Sequence, residues 1–240
     1  YGVELEVERR KNCDAYIGEH VNELLNGFAI CKSDGSLDNG FEIVTAPCSY
    51  AYHKKRWEDF FKNDKCMQQL KGWNTDTAGL HIHIGRATLT PTDIGKILVF
   101  INDETNNEFI NAIAGRDSSQ WAKKSPKKIT DSLHSSEKYE AVNLSHSETI
   151  ELRIFRSNIS RYGFYRILEF VDALVHFVGE SSLATTSLHY KAFYHFMKKP
   201  MCKSRYPNLT AWLIRKGFID GKPSRKISSL DESDTNTATN

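Results

Sequence analysis

The feature that most constrains this chain is a two-residue alternation, repeated in four segments, whose polar phase carries carboxylates and imidazoles. Residues 2–8 read Gly-Val-Glu-Leu-Glu-Val-Glu. Period 2 is the mark of a half-buried strand, because residues two apart share a face. Val3, Leu5 and Val7 therefore share one face, and Glu4, Glu6 and Glu8 the other. In 79–87 the same rule sends Leu80, Ile82 and Ile84 inward and puts His81 and His83 together on the opposite face. In 148–155 it sends Ile150, Leu152 and Ile154 inward, with Glu151, Arg153 and Phe155 outward. In 41–45, Glu42 and Val44 oppose Phe41 and Ile43.

The remaining elements follow from turn and cap signals. Asp34-Gly35 and Asn39-Gly40 lie between strand candidates at 28–32 and 41–45, which predicts an antiparallel hairpin with a long loop. A second strand pair is expected at 140–145 and 148–155. Helices are expected over 50–70, over a segment starting at Thr90-Pro91 with Asp93 in its first turn, over 164–178, and near 187–197 and 208–216. Residues 115–138 read as a polar connection with Arg116, Lys123, Lys124, Lys127 and Lys128, a loop long enough to be functional or mobile. Ser228–Asn240 is rich in Ser, Thr, Asn and Asp and is expected to be disordered. Hairpins among helices point to an α+β fold, a mixed or antiparallel sheet with helices on one side.

Composition removes several classes of function. Lys+Arg minus Asp+Glu is 32 − 30 = +2, too balanced for a bulk nucleic-acid binder. No apolar run approaches the ~18 residues of a membrane span, and no signal-peptide pattern is present. The five cysteines are odd in number and include no C-x-x-C pair, which suits a reducing, cytoplasmic location (a host's cytoplasm, were the chain phage-encoded) and speaks against a cysteine-zinc framework. Tyr1 already lies inside a strand pattern, so further residues are expected upstream.

Taken singly, each strand reads as an ordinary solvated sheet face. Taken together they are harder to dismiss. Glutamates two apart on one strand stand only about 7 Å apart, and like charges on neighbouring strands repel. Divalent cations held by oxygen ligands and one or two imidazoles would relieve that repulsion, and a carboxylate-rich set suits Mg²⁺ or Mn²⁺. Mg²⁺ in such a cage keeps positions open for phosphate oxygens, and Arg153 and Arg156 are natural phosphate forks. Neither a G-x-x-x-x-G-K-[ST] loop nor a kinase-type glycine loop occurs. The expectation is a nucleotide site built on a sheet face, with metals in place of a glycine cradle.

Four blocks in order carry a resemblance: Gly-Val-Glu-Leu-Glu at 2–6; Asp-Gly-Ser-Leu at 34–37 with Gly-Phe-Glu-Ile-Val at 40–44; Gly-Leu-His-Ile-His-Ile-Gly at 79–85; and Thr-Ile-Glu-Leu-Arg-Ile-Phe at 149–155, preceded by Asn143-Leu144. Over roughly residues 1–180 the chain resembles the amidoligase family, carboxylate–amine ligases related to glutamine synthetase and glutamate–cysteine ligase. The resemblance implies a curved half-barrel sheet holding ATP and Mg²⁺ on its concave face, with helices on the convex side. It implies a catalytic domain at 1–183; a helical extension at 184–219 and a loose tail at 220–240 are expected to follow it. On that reading Glu4, Glu6, Glu42, His81, His83 and Glu151 serve the metals. Arg153 binds phosphate, and Glu42 and Arg153 act in catalysis. Asp34, Ser36 and Arg116 serve the substrate. Arg86 and Arg156 join the nucleotide only if their strands bend or end there, because their parity is opposite.

The function so implied is ATP-dependent amide or peptide bond formation between a small-molecule or peptide carboxylate and an amine. Ring-forming relatives leave a homo-oligomer open. Alternatives on the same residues are a guanidino-kinase-like phosphotransferase, a metal-dependent hydrolase using His81 and His83, and a binding module that has lost catalysis.

Overall fold

Alternation over residues 2–8 and 79–85 builds the two central strands. The structure, a computed structural model, describes residues 1–117, 122–134 and 137–222. The strands are β1 (Gly2–Arg9), β2 (Ala29–Lys32), β3 (Gly40–Thr45), β4 (Leu70–Lys71), β5 (Gly79–Gly85), β6 (Val142–Asn143) and β7 (Thr149–Arg156). They form one open antiparallel sheet in the order β2-β3-β1-β5-β7-β6, with β4 pairing with β1. The apolar phase is buried as expected: Val3, Leu5, Val7, Leu80, Ile82, Ile84, Ile150 and Leu152 are almost wholly removed from water. Each such side chain contributes about 1.5–3 kcal/mol, which fixes the register and so the direction of every polar side chain on the other face.

By its contacts the chain divides after Ile159 into Tyr1–Ile159 and Ser160–Asn240. The boundary expected near 183 lies inside the second of these units. The expected tail is outside the described residues from 223 onward.

In the first unit, helices α1 (Ile17–Leu24), α2 (Tyr50–Phe61), α3 (Asp64–Gln69), α4 (Pro91–Asn102) and α5 (Asn107–Ala114) join the sheet. The single helix expected over 50–70 is two. Asn63 ends the first and caps the second, its side chain accepting from the Cys66 N–H at 3.0 Å. Thr90 and Asp93 form the reciprocal capping box at the start of α4. Phe28, Trp57, Phe60 and Phe61 make an edge-to-face and stacked aromatic core beside α2.

The second unit holds α6 (Arg161–Glu180), α7 (Tyr190–Met197), α8 (Pro200–Arg205) and α9 (Pro207–Arg215). Glu169 of α6 accepts from the Leu209 N–H and from Asn208 Nδ2, both at 2.7 Å, and so ties the start of α9 to α6. Among the described residues no helix is long and apolar enough to cross a membrane.

A bulge in β7 corrects one face assignment. Leu80 pairs with Phe155 and Ile82 with Leu152, so Arg153 and Ile154 together stand opposite His81. The extra residue reverses the parity of the strand beyond it. Phe155, expected on the outward face with Glu151 and Arg153, instead lies opposite Leu80 of the apolar phase and is fully buried.

Candidate functional site

The polar phases of β3, β1, β5 and β7 line a cleft of about 630 Å³, within the range of small-molecule sites. Its walls include Glu4, Glu6, Glu42, His81, Glu151 and Arg153 from the strands, and Asp34, Gly35 and Ser36 from the loop between β2 and β3. Pairing across the sheet brings these groups together. Glu4 stands opposite His81, Glu6 opposite Glu42, His83 opposite Glu151, and Asn143 opposite Glu151.

His81 sits at the centre. Its Nδ1 is 3.4 Å from Glu4 Oε2 and 3.3 Å from Glu151 Oε1, and its Nε2 is 3.8 Å from Glu6 Oε1. His83 Nε2 is 3.1 Å from Glu4 Oε1. Burial acts to raise the Glu4 carboxyl, but the neighbouring His81 and His83 imidazoles outweigh it and hold Glu4 far below the usual carboxylate range. Glu42 goes the other way: burial pushes its carboxyl up, and the charges of Glu4, Asp34 and Glu6 add to the effect.

Glu151 is 2% exposed and is held on every side. Asn143 Nδ2 donates to its Oε2 at 2.8 Å, Arg153 Nη1 to its Oε1 at 2.5 Å, and His146 Nε2 lies 3.4 Å from Oε2. A buried carboxylate without such partners would cost several kcal/mol. Glu6 is fixed by the backbone N–H of Gly79, donated to Oε2. That position suits glycine: a Cβ there would stand 3.0 Å from His81 Nε2, 3.3 Å from Glu6 Oε2 and 3.5 Å from Arg116 Nη2, filling space between them.

Arg116, expected at the substrate, does line the cleft, but part of its guanidinium serves the backbone. Nε donates to the Ile154 carbonyl at 3.0 Å and Nη2 to the Arg153 carbonyl at 2.7 Å, the two residues of the bulge. Burial lowers its pKa to about 10, against the raising effect of Glu6. Asp34 accepts the Ser36 N–H at 2.7 Å, which shapes the loop; burial pushes its carboxyl up, but the Ser36 bonds together with the charges of His81 and Lys138 bring it below its ordinary value.

Two residues expected at the nucleotide are not among the cleft's lining residues. Arg86 bonds the carbonyls of His146, Thr149 and Leu144 at 2.8–3.1 Å, so it secures the loop before β7 and does not line the cleft. Arg156 lies beyond the bulge, opposite Gly79, and stacks over Trp73 at 5.5 Å, also outside the cleft lining. Glu8 pairs with Lys71 at 3.1 Å and accepts from Thr77, and is not itself among the lining residues. The described cations of the 116–128 loop are occupied elsewhere in large part: Lys124 bonds Asn107 and Asn111, and Lys127 pairs with Glu140.

Four lining residues lie outside the sequence expectations: Thr77, Lys138, Tyr139 and His146. All sit in connections without periodicity. A His in the short Ser-His-Ser segment directly before a strand carrying Glu151 was the one available signal.

A divalent cation fits this donor set. Glu4, His81 and Glu151 each present one ligand atom, and the three atoms lie within 4.8 Å of one another. Oxygen donors with a single imidazole suit Mg²⁺ or Mn²⁺. In comparison with known proteins, no family model matches the chain, and no curated protein matches it in sequence.

Proposed function

We propose that the chain is an ATP- and Mg²⁺-dependent carboxylate–amine ligase acting through an acyl phosphate, and that its sheet is the half-barrel of glutamine synthetase-like enzymes. The observation that carries this reading is the division of charge within one cleft: Glu4, Glu6, Glu42 and Asp34 around His81, with Arg153, Lys138 and Arg116 in the same walls. A polyphosphate with its metal needs both kinds of group, side by side.

Glu4, His81 and Glu151 would hold Mg²⁺ or Mn²⁺, with Glu6 beside them. When bound, the metal supplies charge neutralisation at the transferring phosphoryl group. Arg153 binds and orients the γ-phosphate, and Glu151, Asn143 and Tyr139 set where its guanidinium points. A substrate carboxylate oxygen attacks the γ-phosphorus, the bond to the β-phosphate oxygen breaks, and ADP leaves. An amine nitrogen then attacks the acyl carbon, inorganic phosphate leaves, and the amine gives up a proton. Asp34 and Glu42, which also line the cleft, would attract a cationic amine and accept that proton.

His83 and His146, beside Glu4 and Glu151, favour a second reading, a metal-dependent hydrolase. The two are separated by supplying ATP, Mg²⁺ and mixtures of amino acids or short peptides. The ligase releases phosphate only when carboxylate and amine are both present. Phosphate release indifferent to the amine, or zinc-dependent cleavage of esters or amides without ATP, refutes the ligase.

A further inference from the structure

Nearly every residue that lines the cleft is charged, small and polar, or a glycine. Among the described lining residues Tyr139 is the one large aromatic surface. It is 39% exposed, the Arg153 guanidinium lies 5.9 Å from its ring centroid, and Lys138 Nζ lies 5.6 Å from it. A ligand with one planar ring and a charged tail can put its ring here, with its charges toward Arg153 and Lys138.

The backbone that carries the ring is also held in place. The Tyr139 carbonyl accepts the Lys123 N–H at 2.8 Å, and the Ala141 N–H returns to the Lys123 carbonyl at 2.8 Å, an isolated bridge outside the main sheet. Lys127 pairs with Glu140 at 2.7 Å on the same bridge. A platform tied down by backbone bonds loses little entropy when a ring stacks on it.

Building on the ligase reading, we propose that Tyr139 is the nucleobase platform of this cleft: the base of the nucleotide stacks on its ring while Arg153, within cation–π range of that ring, takes a phosphate. The proposal fixes the orientation of the nucleotide. The base lies against Tyr139, beside Lys138 and Arg153. Recognition is by stacking, which every base supports, so discrimination between adenine and guanine at Tyr139 itself is weak.

The test is calorimetric binding of Mg²⁺ with a non-hydrolysable ATP analogue, of the corresponding GTP analogue, and of inorganic tripolyphosphate, to the full chain and its Tyr139 variants. Tyr139→Ala is expected to weaken both nucleotides about tenfold or more and to leave tripolyphosphate within about twofold. Tyr139→Phe is expected to keep nucleotide affinity. Tyr139→Trp, which preserves a stacking ring, is expected to add a fluorescence signal quenched by the nucleotide and not by tripolyphosphate.

Tight nucleotide binding that is the same in Tyr139→Ala overturns the platform and leaves the ligase reading standing. Equal losses of nucleotide and tripolyphosphate in Tyr139→Ala also overturn it, since Tyr139 would then act only through Arg153. Failure of the wild-type chain to bind either probe overturns the ligase reading, and the platform with it.

Discussion

Two carboxylates in one cleft should respond oppositely to neutralisation when no metal is present. Glu42 faces Glu6 directly across β1 and β3 and sits among the charges of Glu4 and Asp34. A like-charge cross-strand pair is unfavourable by about 0.2–1 kcal/mol, so Glu42→Gln should raise stability by about 0.5 kcal/mol. Glu4 is instead held by His83 at 3.1 Å and His81 at 3.4 Å. Charge-assisted contacts of this kind are worth about 1.5–3 kcal/mol, and glutamine keeps one acceptor, so Glu4→Gln should cost about 1–2 kcal/mol. The assay is urea unfolding at pH 7 with a chelator present, comparing midpoints at constant slope. Adding Mg²⁺ at 100 times its dissociation constant should then stabilise the wild type by about 2.7 kcal/mol and Glu4→Gln far less. Two substitutions that shift stability in the same direction, or a wild type indifferent to Mg²⁺, would refute the account of this cleft as a strained cation site.

Three further outcomes are expected. Burial pulls the His53 imidazole down to about 4 from its ordinary 6.5, although Nε2 donates to the Tyr1 carbonyl at 3.0 Å. The neutral ring is the one the fold accepts, so its contribution is intact above pH 6.5 and is lost as pH falls toward 4, about 3 kcal/mol in all. His53→Gln should flatten the wild-type urea-stability curve over that window, and parallel curves would contradict this. Gly115 has φ +74° and an added Cβ would run into the Trp73 ring, so Gly115→Ala should lose about 2–4 kcal/mol by calorimetric unfolding. Arg153→Lys keeps the charge but loses the fork that spans Glu151 and a phosphate; steady-state phosphate release should fall about 100-fold or more with the fold intact by circular dichroism.

The strands were legible because burying Val3, Leu5, Leu80 and Ile150 leaves their neighbours only one direction to point. That rule placed Glu4, Glu6, Glu42, His81, Glu151 and Arg153 in the walls of a single cleft. It also marked Arg86 as having the wrong parity, and Arg86 bonds the carbonyls before β7; for Arg156 the bulge reverses that parity, and its guanidinium lies over Trp73. Phe155 escaped the rule because a bulge inserts one residue, and no periodic pattern registers an insertion that tertiary bonds from Arg116 hold in place. Helix α1 passed unnoticed because eight residues with only Ile17 and Val21 buried, and no side-chain cap, leave little period to read. His146, Lys138 and Tyr139 stand in connections, where position is set by Arg86 and by the Lys123 bridge instead of by spacing.

The central claim is that a carboxylate oxygen attacks the γ-phosphate of ATP in the cleft of Glu4, His81, Glu151 and Arg153. Its most direct test supplies the chain with MgATP, an amine mixture and amino acids labelled with ¹⁸O in their carboxyl groups, and measures the mass of the phosphate released. The account predicts inorganic phosphate carrying one ¹⁸O for each amide formed, and none from Glu151→Gln. Unlabelled phosphate, or a stable phosphorylated product with no phosphate released, would contradict it.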